Sequence, residues 1–346
     1  MKRQRHKTFG WCLLACALVA AAAGLRYIHS PGLETHRSEP VGIMGTHASL
    51  TVVVRAGQTA LADNALKAAE AALRRIEALM SHWLEQSEVA LLNAAKAGEI
   101  VYLSPDTMEV LRKSQQFAQQ TQGAFDVTCR PIIEMWKRAG KENRVPSEVE
   151  IAAAIENTGW RHIELLDGKA QKKIDGAGVD LGGVAKGYGV DKAVEAMKAA
   201  GALGGTVEVG GDIGCFGRKP DGKNWIIGVR DPFETKQVFC RLSMGDLAVC
   251  TSGNYFRFVT IEGRRYSHIV DPRSGRPVDA APSVTVVAPN TTVADAWATG
   301  LSVLGPDGFK LIPPGSGIEA MIVTGDAREH RVHTTPGFNR LILEER

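Results

Sequence analysis

Helix-like and strand-like stretches alternate in this chain without the strand–helix–strand rhythm of a parallel sheet, and that irregularity restricts the fold more than any other feature. Leu66, Ala69, Leu73, Ile76 and Met80 recur at three- and four-residue steps, so residues 60–80 are predicted to form an amphipathic helix. Further helices are predicted over 104–121, 132–137, 147–157 and 183–200, the last with Val190, Ala193, Val194 and Met197 on one face. Ser49 to Val54 reads as a strand, and short strands are expected at 163–166 and 172–175. Strands dominate from Thr206 to Thr260, broken by Gly-Gly, Asp-Pro and Ser-Gly turns. Ser283 to Ala288 has the apolar run of a buried strand, a helix follows over 292–304, and a strand at 320–323 closes the pattern. The expected class is α+β.

A chain of 346 residues has room for one large domain or two ordinary ones. No repeat and no interdomain linker divides it, so residues 39–346 are expected to form a single domain behind a leader and linker at 1–38. The leader has a basic start, Met1 to Lys7, then an apolar run from Trp11 to Leu25, which at roughly 15 residues is short for a spanning helix. Leu13-Leu14-Ala15-Cys16 resembles a lipoprotein box, Ala21-Ala22-Ala23 offers a cleavage site, and the run after Cys16 would also suit an uncleaved anchor. All three place the body outside the cytoplasmic membrane, on the periplasmic side of the inner membrane, as the positive-inside bias also requires. The net charge of +3 is set by the leader: without Lys2, Arg3, Arg5, Lys7 and Arg26 the balance falls to −2, which argues against a nucleic-acid partner. Beyond the leader lie Cys129, Cys215, Cys240 and Cys250, with no C-x-x-C pair to support zinc. An oxidising compartment leaves room for one disulfide, with the pairing open.

Four segments carry candidate chemistry. Asp180 to Tyr188 joins a strand end to a helix start through Gly182-Gly183; its free N–H groups suit an anion, with Lys186 placed to meet a phosphate, and a tight turn with a solvated lysine is the plainer reading. Gly210-Gly211-Asp212 ends a strand in either a close backbone approach or a hairpin. Thr251-Ser252-Gly253-Asn254-Tyr255 offers Ser252 to a phosphate or substrate, and Tyr266 to Pro272 offers His268 as a general base before an Asp-Pro turn. A serine-hydrolase reading lacks the G-x-S-x-G elbow. In Thr292 to Thr299, Thr292 and Asp295 fit a capping box, while Asp295 and Thr299 share a helix face that suits a hard cation such as Mg²⁺.

Taken together, these segments resemble the ApbE family, the Mg²⁺-dependent FAD:protein FMN transferases. Met44-Gly45-Thr46, Met80-Ser81 with Ser87 to Asn93, Gly123-Ala124-Phe125-Asp126, Asp180 to Tyr188, Gly210-Gly211-Asp212, Thr251-Ser252-Gly253, His268 to Gly275 and Ala294 to Thr299 occur in the family's order from about Ile43 to Gly305. The resemblance implies a T-fold-like architecture of mixed, largely antiparallel sheets flanked by helices. It implies that FAD lies among Met44, Ser81, Ala124, Phe125, Asp126, Asp180, Lys186 and Ile269. Mg²⁺ would be held by the Gly183 carbonyl, Asp295, Thr299 and the FAD diphosphate. His268, Lys186 and Ser252 become catalytic candidates, with His268 as base. The implied reaction moves FMN to a threonine hydroxyl of an exported flavoprotein, such as a subunit of a membrane redox complex, and releases AMP. FAD hydrolysis to FMN and AMP, or a non-catalytic FAD-binding lipoprotein, are the alternatives. This chain departs from the family at His82-Trp83, where relatives often carry a tyrosine, at Ala90 in place of a common serine, and at Trp297 between the two implied ligands.

Overall fold

The computed structural model describes residues 32–253, 258–279 and 281–343. The leader through residue 31, and Asn254 and Tyr255 of the third candidate segment, lie outside the described residues. Among the described residues no helix is long and apolar enough to cross a membrane.

Eight strands form one large sheet: β1 (Leu33–Ser38), β2 (Ala48–Arg55), β3 (Gly204–Val209), β4 (Asp212–Phe216), β5 (Ala248–Gly253), β6 (Ser283–Ala288), β7 (Glu319–Gly325) and β8 (His330–Thr334). Their spatial order is their order in the chain, and every adjacent pair is antiparallel. The fold is α+β, as expected. Six helices intervene between β2 and β3: α1 (Thr59–Met80), α2 (Glu88–Ala94), α3 (Pro105–Gln120), α4 (Arg130–Glu142), α5 (Glu148–Glu156) and α6 (Ala185–Ala199). A seventh, α7 (Thr291–Leu304), joins β6 to β7.

The sheet is covered on both faces, and the alternation along each strand shows it. Val52, Val54 and Val207 pack with Ala65, Leu73 and Val190 of α1 and α6, while Val286, Ala320 and Ile322 pack with Trp297 and Leu301 of α7. Val53, Val249, Val287 and Met321 point the other way, onto a hairpin of strands Trp225–Arg230 and Val238–Met244. Burial on both sides is why β6 is apolar at four of its six positions and buried at all six. A smaller core of Ile132, Met135, Trp136, Ile151, Ile261 and Val270 ties α4 and α5 to a hairpin of strands Phe258–Ile261 and Arg264–Ser267.

Differences from the sequence reading cluster at edges and turns. β1 and β8 escape a hydrophobic-pattern reading because they are the sheet's outer strands and stay largely exposed. β1 falls inside the stretch assigned to leader and linker, yet pairs with β2 along its whole length. The strand expected at 172–175 lies at 169–172, because Asp167-Gly168 makes a two-residue hairpin with Leu166 opposite Lys169. The helix expected at 132–137 runs to Glu142, where Asn143 closes it in a left-handed conformation. The four described cysteines are all free, so no disulfide joins any two of them.

Candidate active site

The site begins where α6 meets α7. A Cβ on Gly187 would lie 2.4 Å from the Thr291 carbonyl oxygen and 2.8 Å from the Asp295 Cβ, so only glycine allows the two helices this close. The contact lets the Gly187 amide, an otherwise unpaired donor in the first turn of α6, hydrogen-bond Asp295 Oδ2 at 3.0 Å. The predicted Thr292–Asp295 capping box is therefore corrected. Asn290 is the N-cap and accepts from the Val293 amide at 3.0 Å. Asp191 of α6 accepts from the Thr291 and Thr292 amides and from the Thr292 hydroxyl. The helix starts one residue earlier than predicted, which leaves Asp295 too deep in it to cap.

Lys186 is not the solvated lysine of a simple turn. Its ammonium is ion-paired with Asp212 Oδ2 and stands 3.7 Å from Asp295 Oδ2. Asp212 opens β4 directly after a two-residue turn in which Gly210 and Gly211 both have positive φ, at 61° and 94°. Those angles match the type I′ turn that suits the twist of a hairpin, and a Cβ on Gly210 would lie 2.8 Å from the Thr46 side chain, so the segment is at once a hairpin and a close approach. Both carboxylates have side chains only 4% exposed, and one ammonium serves them. Burial, and then the Asp212 charge, push the Asp295 carboxyl up to about 7. Burial alone would lower Lys186, but the two carboxylates outweigh it and keep the ammonium charged. Cys250 lies buried beside them, its thiol held protonated by burial and by the two acids.

The Asp180–Val184 loop closes the other side. Asn93 grips it at Val179, donating to the carbonyl at 2.9 Å and accepting from the amide at 2.6 Å. Asp180 donates its amide to the Val127 carbonyl and accepts from the Gly182 amide at 2.8 Å. His82 Nδ1 stands 3.8 Å from Asp180, and burial depresses the His82 pKa, which favours the neutral ring. A Cβ on Gly183 would lie 2.9 Å from the Thr299 hydroxyl. Gly183, Lys186, Asp295 and Thr299 are thus brought together, and Asp212 joins them.

The remaining predicted residues surround this cluster in different ways. Ala124 and Phe125 are buried, the Phe125 ring edge-on to Phe117, and the loop packs against α7 at Gly300. Asp126 spends Oδ1 on its own loop, accepting from the Thr128 amide and hydroxyl, and Oδ2 on the distant Trp160 amide. Met44, at positive φ, packs its sulfur toward Gly189 of α6. Ser81 ends α1 and takes the Ser87 hydroxyl on its carbonyl at 2.7 Å. Ser252 lies two residues beyond Cys250 in β5, hence on the same face of the sheet. His268 is exposed just after the Arg264–Ser267 strand. The Ile269 carbonyl accepts from the Val278 amide, and Arg273, doubly bonded to Asp271, lies against the Gly123 turn.

Sequence reasoning assigned no role to Asp212, Asn93 or Asp191. Asp212 and Asn93 stand inside motifs it quoted, and a polar residue next to a two-glycine turn was the available signal. A separate cavity of about 230 Å³ beside Lys113, Lys192 and Thr291 does not reach this cluster's ligand set. Its lysines pair with Glu109 and Glu195, and Asp191 already takes the helix N–H groups there.

The donors suit a hard cation: a carboxylate, a hydroxyl and a loop carbonyl, all oxygen, beside two buried acids that share a single ammonium. Among the described residues no three His, Cys, Asp or Glu side chains are placed to hold a metal ion together, so a cation here would need oxygens from a ligand as well. Fold and site together define an antiparallel α+β protein with an acidic, oxygen-lined cluster under two crossed helices. The chain belongs to the ApbE family, whose sequence profile matches residues 44–322. It is 31% identical over 318 residues to the FAD:protein FMN transferase of Vibrio cholerae serotype O1, covering 90% of this chain and 92% of the relative. It is 28% identical over 276 residues to that of Escherichia coli K12, covering 78% and 79%. The solved ApbE protein of Thermotoga maritima matches with a TM-score of 0.80 at 32% identity, over 90% of this chain and 100% of that one. The flavin transferase ApbE from Vibrio cholerae matches with a TM-score of 0.77 at 27% identity, over 89% and 99%.

Proposed function

We propose that this protein is an exported, Mg²⁺-dependent FAD:protein FMN transferase that attaches FMN to a threonine hydroxyl of a partner flavoprotein and releases AMP. The observation that carries the reading is the convergence of Gly183, Asp295 and Thr299 beside the Lys186–Asp212 pair, in a chain of this family. Asp295, the Thr299 hydroxyl and the Gly183 carbonyl would hold Mg²⁺, leaving positions for diphosphate oxygens. Bound there, Mg²⁺ would neutralise charge on the diphosphate as its P–O bond breaks.

The chain's own residues do the rest. The Asp180 loop and the Gly123–Asp126 loop, both held by internal hydrogen bonds, frame the place of the flavin nucleotide next to Met44 and Ile269. Lys186 keeps a positive charge at the carboxylates, and Ser252 faces the same side of the sheet. The acceptor threonine attacks the FMN phosphorus and the bond to AMP breaks. His268 takes the threonine proton on its imidazole, and its exposure lets that proton pass to solvent. The N-terminal segment would hold the enzyme at the periplasmic face of the inner membrane, where exported redox subunits could reach it.

Incubation of the full chain with FAD, Mg²⁺ and a threonine-bearing acceptor flavoprotein should raise the acceptor's mass by one FMN and release AMP. FMN and AMP appearing at the same rate without acceptor would make it a hydrolase, and neither event would leave an FAD-binding protein. His268→Asn should lower kcat by about 10²- to 10⁴-fold with FAD affinity retained, as expected for a general base. Unchanged kcat would remove His268 from that role.

A further inference from the structure

Asp212 is outside the proposed ligand set, yet it is the nearest partner of the one ammonium that faces those ligands. Lys186 lies between two acids, in contact with Asp212 Oδ2 and 3.7 Å from Asp295 Oδ2. The acids and the lysine differ in freedom. Asp212 is pinned by the β3–β4 turn, with Val209 opposite on one side and Cys250 on the other. Asp295 is fixed by its helix and by the Gly187 amide. The lysine, with four methylenes, is the member able to move. A small shift toward Asp295 would make a contact ion pair there and occupy the carboxylate that a cation needs. An ammonium and a divalent cation compete for the same oxygens, and a buried carboxylate already paired gains little from a second cation.

We propose that Asp212 is a positioning residue that holds the Lys186 ammonium off Asp295 and so keeps that carboxylate open to a divalent cation. The proposal rests on Asp295 being a cation ligand. Asp212 itself stays out of the coordination shell and acts through the lysine.

The test is Mn²⁺ titrated into the full chain saturated with FAD, with free Mn²⁺ read by electron paramagnetic resonance. Asp212→Asn should weaken Mn²⁺ binding about tenfold or more, the scale on which outer-shell partners act. Adding Lys186→Met to Asp212→Asn should restore affinity toward wild type, because no ammonium remains to occupy Asp295. A purely structural role for Asp212 would not be rescued this way. Lys186→Met alone should bind Mn²⁺ at least as tightly as wild type. Wild-type affinity in Asp212→Asn, or a double variant as weak as the single, overturns the proposal. Should Asp212→Asn not fold, weaker binding in Lys186→Met overturns it instead. If wild type binds no more Mn²⁺ than Asp295→Ala, the ligand assignment fails, and the proposal falls with it.

Discussion

Asp126 accepts from the Thr128 amide, the Thr128 hydroxyl and the Trp160 amide, whereas Asp295 accepts from a single backbone group, the Gly187 amide, and shares one lysine with Asp212. Both aspartates are buried, and burial raises the pKa of both. At Asp126 three hydrogen bonds, two from Thr128 and one from Trp160, oppose that rise. At Asp295 a second acid adds to it. A carboxylate that ties its own loop to a distant segment through three hydrogen bonds supports the fold. One left with spare lone pairs and excess negative charge is poised for a ligand, because burying it otherwise costs stability. Motif membership did not distinguish the two, since both stand in segments shared with the family.

The comparison breaks first at Asp295. Asp295→Ala should reduce FMN transfer at saturating Mg²⁺ by about 10³-fold or more while the melting temperature stays within a few degrees of wild type. Single-turnover transfer and a thermal melt measure both; substantial turnover would sink the cation assignment. Asp126→Asn should behave the opposite way. Its amide must present N–H groups where it now accepts them, costing about 1–3 kcal/mol of stability by urea unfolding, with transfer per folded molecule largely kept. A fully stable Asp126→Asn with lost FAD binding would make Asp126 a ligand after all.

The smallest effect is in pH. The Asp295 pKa is raised from 3.8 to about 7 on folding, so between those values the native state holds a proton that the unfolded chain has lost. The contribution of this group to stability is therefore greatest below pH 3.8 and is lost as pH rises toward 7, the reverse of a salt-bridged aspartate. A cation held by Asp295 would have to expel that proton. Mg²⁺ affinity should fall as pH drops below about 7, and calorimetry in buffers of different ionisation enthalpy should detect proton release. Affinity independent of pH from 5 to 8 would mean that Asp295 is not the group titrated by the cation.

Much of the scaffold was legible before any coordinates. The 3.6-residue period of α1 and the mainly apolar run of β6 follow from which faces they bury, and burial writes itself into composition. The outer strands β1 and β8 left no such mark because water covers them. At the site, the sequence by itself determined the residue types: oxygen donors four apart on one helix, paired glycines before a lysine and before an acid, a histidine before an Asp-Pro turn. Local pattern favoured a helix cap for Asp295 and a solvated lysine for Lys186. Only the tertiary structure decided otherwise, by bringing α6 against α7 at Gly187 and β4 beside both. Asp212 and Asp295 are 83 residues apart in the numbering, and no spacing rule links them. Their closeness around Lys186 is a product of sheet register and helix crossing, and that closeness turns two ordinary aspartates into a site.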